Sequence, residues 1–207
     1  QGEYEAGLRK TGLGKLVLNN NNTFQGGIVL NAGTLLLGGF TGSETSPIPS
    51  FIDNLNSIVT VNNGLLQLLN DGLSDNSVIS YANTKVVAGS SAVAINLQIG
   101  PNGGAFVKNT IELGSLEMTP GQILNLVSAG TYNLRIDTLF TGTSQSSTPV
   151  RINTGSGMAV TIYDYGTVKP INIGLGTLVL PDVVTIATGT PIGSGNPLLS
   201  GGVVTMV

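Results

Sequence analysis

The stretch "KTGLGKLVLNNNNTFQGGIVLNAGTLLLGG", Lys10 to Gly39, decides the reading of this chain. It holds no acid, no histidine and no cysteine. Its apolar residues come in short bursts with period two, and glycine recurs at the start of the bursts. Alternation with period two places every second side chain on one face of a strand. The step between bursts, Asn31-Ala32-Gly33, is a bend, because asparagine and glycine accept the left-handed backbone that most residues avoid.

The same unit returns along the chain. Placed 31 residues on, Ile28 meets Val59, Leu30 meets Val61, Asn31 meets Asn62, Gly33 meets Gly64, Leu35 meets Leu66 and Leu37 meets Leu68. "INIGLGTLVL" puts Ile171, Ile173, Gly176, Leu178 and Leu180 in the same places. "VSAGTYNL" offers Gly130, Tyr132 and Leu134, and "GKLVL", Gly14 to Leu18, is a copy shortened at its front. Two architectures use such a unit. In a hairpin the two bursts pair with each other; in a solenoid each burst pairs with its copy one coil later. Both halves keep their apolar face in phase across the bend, which is how a chain winds around a core. The uneven gaps between the glycines suit coils with inserted loops, so the solenoid is favoured over the hairpin.

Composition narrows the function. Only 9% of the 207 residues are charged, against about 25% in an average soluble domain. The net charge of −3 offers no basic surface to nucleic acid or anionic lipid. No apolar run reaches the ~18 residues of a membrane-spanning helix. A transmembrane barrel would show aromatic girdles, whereas 5 Phe and 5 Tyr are scattered and Trp is absent. Without Cys or His there is no disulfide, thiol nucleophile, zinc site or histidine-based triad. A chain that begins at Gln1 rather than Met is expected to be processed or internal to a longer one.

The opening stretch closely resembles the autotransporter-associated β-strand repeat. Lys10, Thr11, Gly12, Gly14, Leu16, Leu18, Asn22, Thr23, Phe24, Gly26, Gly27, Asn31, Ala32, Gly33, Thr34 and Leu35 occupy that motif's positions. "SIVTVNNGLLQLLNDGLSDNS" continues in the same style, and the likeness weakens beyond Ala88. The resemblance implies an all-β fold, a right-handed parallel β-helix, in a bacterial surface or secreted protein.

The expected organisation is one β-solenoid domain over 1–207, with loop insertions near 41–56 and 141–149 and an extended C-terminal tail, 189–207. A helical turn or two is expected in "SPIPSFIDNLNS", with Ser50 as its cap. Residues 57–136 read as strands broken at 70–76, 100–104 and 119–121. At roughly 20 residues per coil the chain makes about ten rungs. At about 4.8 Å per rung the rod is about 50 Å long. Asparagine runs are expected to form amide ladders at the corners.

The acids are Glu3, Glu5, Glu44, Asp53, Asp71, Asp75, Glu112, Glu117, Asp137, Asp164 and Asp182. An enzyme acting on a polysaccharide needs them paired. Glu112 and Glu117, five apart, fall on opposite faces of a continuous strand. Asp71 and Asp75 flank a turn and suit at most a weak calcium site. "TPIGSGNP" lacks the Lys-Ser/Thr ending of a phosphate loop, and "IGLGTL" leads into a strand rather than a helix. Thr141/Thr143 and Thr188/Thr190 are too few for an ice-binding array. Tyr163 and Tyr165 share a strand face, where half-exposed tyrosine is routine.

The expectation is a non-enzymatic extracellular structural protein, a solenoid subunit of a surface fibre, filament or stalk. Its partner is itself, stacked head to tail, because "QGEYEAGLRK" and "GGVVTMV" cap the coil poorly. No catalytic, cofactor-binding or metal-binding residue is assigned. The second reading is an adhesin passenger segment whose loops contact a surface glycan or matrix. The third is a polysaccharide-active β-helix enzyme.

Overall fold

The structure is a computed structural model that describes residues 7–19, 26–38, 58–90, 92–140, 150–155, 157–164, 171–173, 177–180 and 203–206. Its elements are all strands: β1 (Leu8–Lys10), β2 (Lys15–Asn19), β3 (Ile28–Leu30), β4 (Thr34–Gly38), β5 (Ile58–Val61), β6 (Leu65–Leu69), β7 (Val78–Ala88), β8 (Ala94–Gly100), β9 (Thr110–Glu117), β10 (Ile123–Ser128), β11 (Asn133–Phe140), β12 (Val150–Thr154), β13 (Ala159–Asp164), β14 (Ile171–Ile173), β15 (Thr177–Leu180) and β16 (Val203–Met206). Strands alternate between two sheets as the chain advances. One sheet runs β1-β3-β5-β7-β9-β11-β13-β15-β16, the other β14-β12-β10-β8-β6-β4-β2. All these pairings are parallel. The fold is therefore a β-solenoid. The expected insertions at 41–56 and 141–149, the helical turn near Ser50 and most of the 189–207 tail lie outside the described residues.

The register is the one that the 31-residue repeat requires. Ile28 pairs with Val59 and Leu30 with Val61; Leu35 pairs with Leu66 and Leu37 with Leu68. Like side chains then stack along the core. Leu16, Leu35, Leu66, Leu97 and Leu126 form one column. Ile79, Ile111, Leu134 and Val160 form another. Except for Leu16, at the end, each of these is buried. Each such burial contributes roughly 1.5–3 kcal/mol, so the regular sequence is the core itself.

Three expectations need correction. Coils run from 18 residues (Ala159 to Thr177) to 32 (Val78 to Thr110) rather than holding near 20. The nine strands of the larger sheet span about 38 Å at ~4.8 Å spacing. "INIGLGTLVL" and "VSAGTYNL" are half a coil out of phase with the first copies. There the first burst lies in the seven-stranded sheet and the second in the nine-stranded one. Inward alternation looks alike at both corners, so the pattern carries no mark of which sheet it enters.

The third correction concerns Glu112 and Glu117. In β9, Gly114 and Ser115 both face outward, between buried Leu113 and buried Leu116. The inward phase slips by one there, and both acids end on the outer face. Asp137 and Thr138 do the same in β11. β5 pairs with the second half of β7 (Ile58 with Lys85), whereas β13 pairs with the first half of β11 (Leu134 with Val160). The wall thus gains a facet midway along the rod.

Candidate functional site

The sequence singled out Asp71 and Asp75, and the structure gives both a structural task. They lie between β6 and β7, in a corner that stacks on the loop between β8 and β9. Asp71 is 1% exposed. One of its carboxylate oxygens accepts the backbone N–H groups of Asn102 and Gly104, both at 2.7 Å. Asp75 accepts the Val107 N–H at 2.8 Å. These oxygens face backbone donors, so each carboxylate fastens the stacked loop of the next coil. Around them lies a buried polar network. The Tyr132 hydroxyl donates to the Asn70 carbonyl at 3.1 Å and accepts from Asn109 Nδ2 at 3.1 Å. Asn109 Nδ2 also donates to the Asp71 carbonyl at 2.9 Å. Across the core, the Tyr81 hydroxyl donates to the Leu37 carbonyl at 3.1 Å, and burial pushes its pKa well above the ordinary phenol value.

The acids on the outer wall are engaged by the strands beside them. Glu112 forms an ion pair with Arg135, its cross-strand partner. Glu117 pairs with Lys85 at 2.6 Å. Arg135 also stacks on the ring of Tyr163, 5.3 Å from its centre, and Lys85 lies 5.9 Å from the Phe140 ring. Tyr163 is half exposed, as a strand-face tyrosine routinely is. Burial raises the carboxyl pKa of Asp137, against the pull of nearby Arg135. Among the described residues no three acids gather as a metal cluster. Glu3, Glu5, Glu44, Asp53, Tyr165 and Asp182 lie outside them.

One concavity among the described residues was missed by sequence reasoning. An open groove of about 570 Å³ is lined by Asn31, Asn62, Asn63, Val93, Ala94 and Asn96. It arises where the corner changes length. Below it the corners are short: Gly14, Gly33 and Gly64 stack, with Thr34 N–H donating to the Gly14 carbonyl and Leu65 N–H to that of Gly33. Lys10, of the opening motif, donates through its ammonium to the Gly12 and Ala32 carbonyls of this corner. In the next coil the connection from β7 to β8 is longer, and Asn96 Nδ2 takes over, donating to the Gly64 carbonyl at 3.3 Å. The signal for this site was the alignment of Asn31 with Asn62 at the repeat spacing.

Stacked amides fix the groove's polarity. Asn62 Nδ2 donates to Asn31 Oδ1 at 2.8 Å. Asn96, Asn125 and Asn153 continue as a ladder on the sheet face, each bond 2.9 Å, and Gln67 Nε2 donates to Gln98 Oε1 at 2.7 Å. The expected corner ladder exists at Asn31–Asn62; the longer one runs along the strands instead.

Comparison with known proteins places the opening segment. Residues 8–37 match the passenger-associated-transport-repeat family. No curated protein matches the chain, and no solved structure does. The matched residues are β1 to β4 together with their corners. Over that segment the chain is similar to the repeat of autotransporter passenger β-helices, which points to a surface or secreted protein and is not typically enzymatic. Among the described residues no helix is long and apolar enough to cross a membrane.

Proposed function

We propose that this chain is a non-enzymatic scaffold segment outside a bacterial cell, a β-solenoid unit of a fibre, filament or stalk whose coils stack end to end. The observation that supports this is the unbroken register of the leucine column from Leu16 to Leu126. Each coil offers the next the same two parallel edges, so a further coil meets the same template. β1 and β2 are the outermost described strands at one end, and their inward residues Leu8, Leu16 and Leu18 are only partly buried. Electron microscopy and light scattering of the purified chain test the reading. Linear polymers are expected, lost on Leu16→Lys, which places a charge in the stacking edge. A chain that stays monomeric at high concentration, or polymers indifferent to the substitution, overturns it.

A second reading, an adhesin passenger segment, is favoured by the amide-lined groove. A wall built for packing alone has no use for outward hydrogen-bonding groups arranged around a concavity.

A further inference from the structure

We infer that the groove lined by Asn31, Asn62, Asn63 and Val93 binds a neutral, hydroxyl-rich ligand, a segment of an uncharged glycan. This deepens the adhesin reading and rests on it. The volume suits a short oligosaccharide. No lining residue is charged, so nothing there selects an anion or a cation. The ladder bond occupies Oδ1 of Asn31 and leaves its amide N–H groups as donors to the groove. Asn63 Oδ1 accepts the Gly64 N–H at 2.8 Å, which likewise leaves the Asn63 amide N–H groups outward. The Asn62 oxygen packs against Gly89 of the next corner, so the amides offer the groove donors. Sugar hydroxyl and ring oxygens accept from such donors, with successive corners about 4.8 Å apart. Val93, 75% exposed, and Ala94 give the apolar surface that a sugar's C–H face covers. An extended peptide would also meet amides, but it would bring alternate side chains for which the groove has no pockets.

The test uses the whole chain with neutral tetrasaccharides (cello-, malto- and chito-series) and an uncharged Gly-Ser tetrapeptide, followed by the side-chain amide NMR signals. Asn31→Asp and Asn63→Asp keep the oxygens that the fold uses and replace the outward donors with carboxylate oxygens, which also bring a negative charge to each position. Expected are weak, saturable shifts at Asn31, Asn62 and Asn63 with at least one tetrasaccharide, and a loss of about tenfold or more in affinity for the double variant. Sugar binding unchanged in the double variant overturns the groove while leaving the adhesin reading standing. Binding of neither the sugars nor the peptide removes both, and binding of the peptide alone overturns the glycan and replaces it with a protein partner.

Discussion

The solenoid turns its two corners by opposite means. From the nine-stranded to the seven-stranded sheet, the first coils turn in about three residues, and backbone packs directly on backbone through Gly14, Gly33 and Gly64. From the seven-stranded to the nine-stranded sheet, the turns at 70–77, 101–109 and 129–132 are longer and fill with polar side chains, Asn70, Asp71, Asn109 and Tyr132. At Gly33 and Gly64 the short corner has no room for a side chain, so glycine solves it there. The long corner has orphan backbone groups to satisfy, so buried polar side chains solve it. The backbone angles say the same. Gly33 and Gly64 have φ of +75° and +107°, whereas the long corner, besides Gly72, Gly103 and Gly130 at positive φ, has Asn76, Lys108 and Thr131, one per coil at the same register position, at 62°, 60° and 61° without being glycine.

The largest effect is therefore expected from a side chain forced into the short corner. A Cβ on Gly33 would collide with the Gly12 carbonyl oxygen and lie 2.5 Å from that of Gly14, both backbone atoms that cannot swing away. Left-handed strain and overpacking together put the loss for Gly33→Ala at about 4 kcal/mol. Gly14, at the outer end of the same column, has nothing within 4 Å of its Cβ position. Gly14→Ala is expected to change stability by about 0.5 kcal/mol or less. Urea denaturation of the two variants checks the contrast. Equal losses would show that glycine serves turn propensity in general and not the close stacking of coils.

In the long corner the corresponding weak point is Asp71. Asp71→Ala leaves the Asn102 and Gly104 N–H groups without their acceptor and opens a cavity, with an expected loss of about 3 kcal/mol. Both N–H groups share one oxygen, which Asp71→Asn retains as a weaker acceptor; that variant should lose about 1 kcal/mol. If addition of calcium stabilised the parent and not the variants, the carboxylate would be a metal ligand after all, and the corner's polarity would have a different reason.

How far these corners were legible in the sequence follows from the same contrast. The short corner announced itself. Its glycines recur with the apolar bursts, and the 31-residue alignment named the true cross-coil partners from Ile28/Val59 to Leu37/Leu68. The long corner was invisible as a unit, because Asn, Asp and Ser in a turn look the same whether solvated or buried. Asp71 and Asp75 therefore suggested at most a weak calcium site, and the sequence did not show that they fasten the next coil. The bend inside β9 and β11 was missed for a related reason. Two successive outward residues, Gly114-Ser115 and Asp137-Thr138, break the period without any turn signal. The groove was hidden because it belongs to no one segment; it forms where the short corner lengthens from one coil to the next, between β5–β6 and β7–β8.

The smallest expected effect bears on how the long corner tolerates its left-handed residues. Thr131 is the costliest of the three, since its branched Cβ crowds the backbone at positive φ more than asparagine or lysine does. It is exposed, and its hydroxyl bonds only the adjacent Gly130 carbonyl, at 2.6 Å, so little is lost with the side chain. Relief of strain outweighs the added freedom of the unfolded chain, and Thr131→Gly is expected to stabilise by about 0.5–1 kcal/mol. For a chain of this size that raises Tm by about 2 °C. The same change at Gly33 is already made by the sequence itself, which is why the short corner has nothing left to gain. A fall in Tm on Thr131→Gly would mean that the corner depends on the threonine side chain, and that left-handed backbone in the long turns is held by contacts rather than merely tolerated.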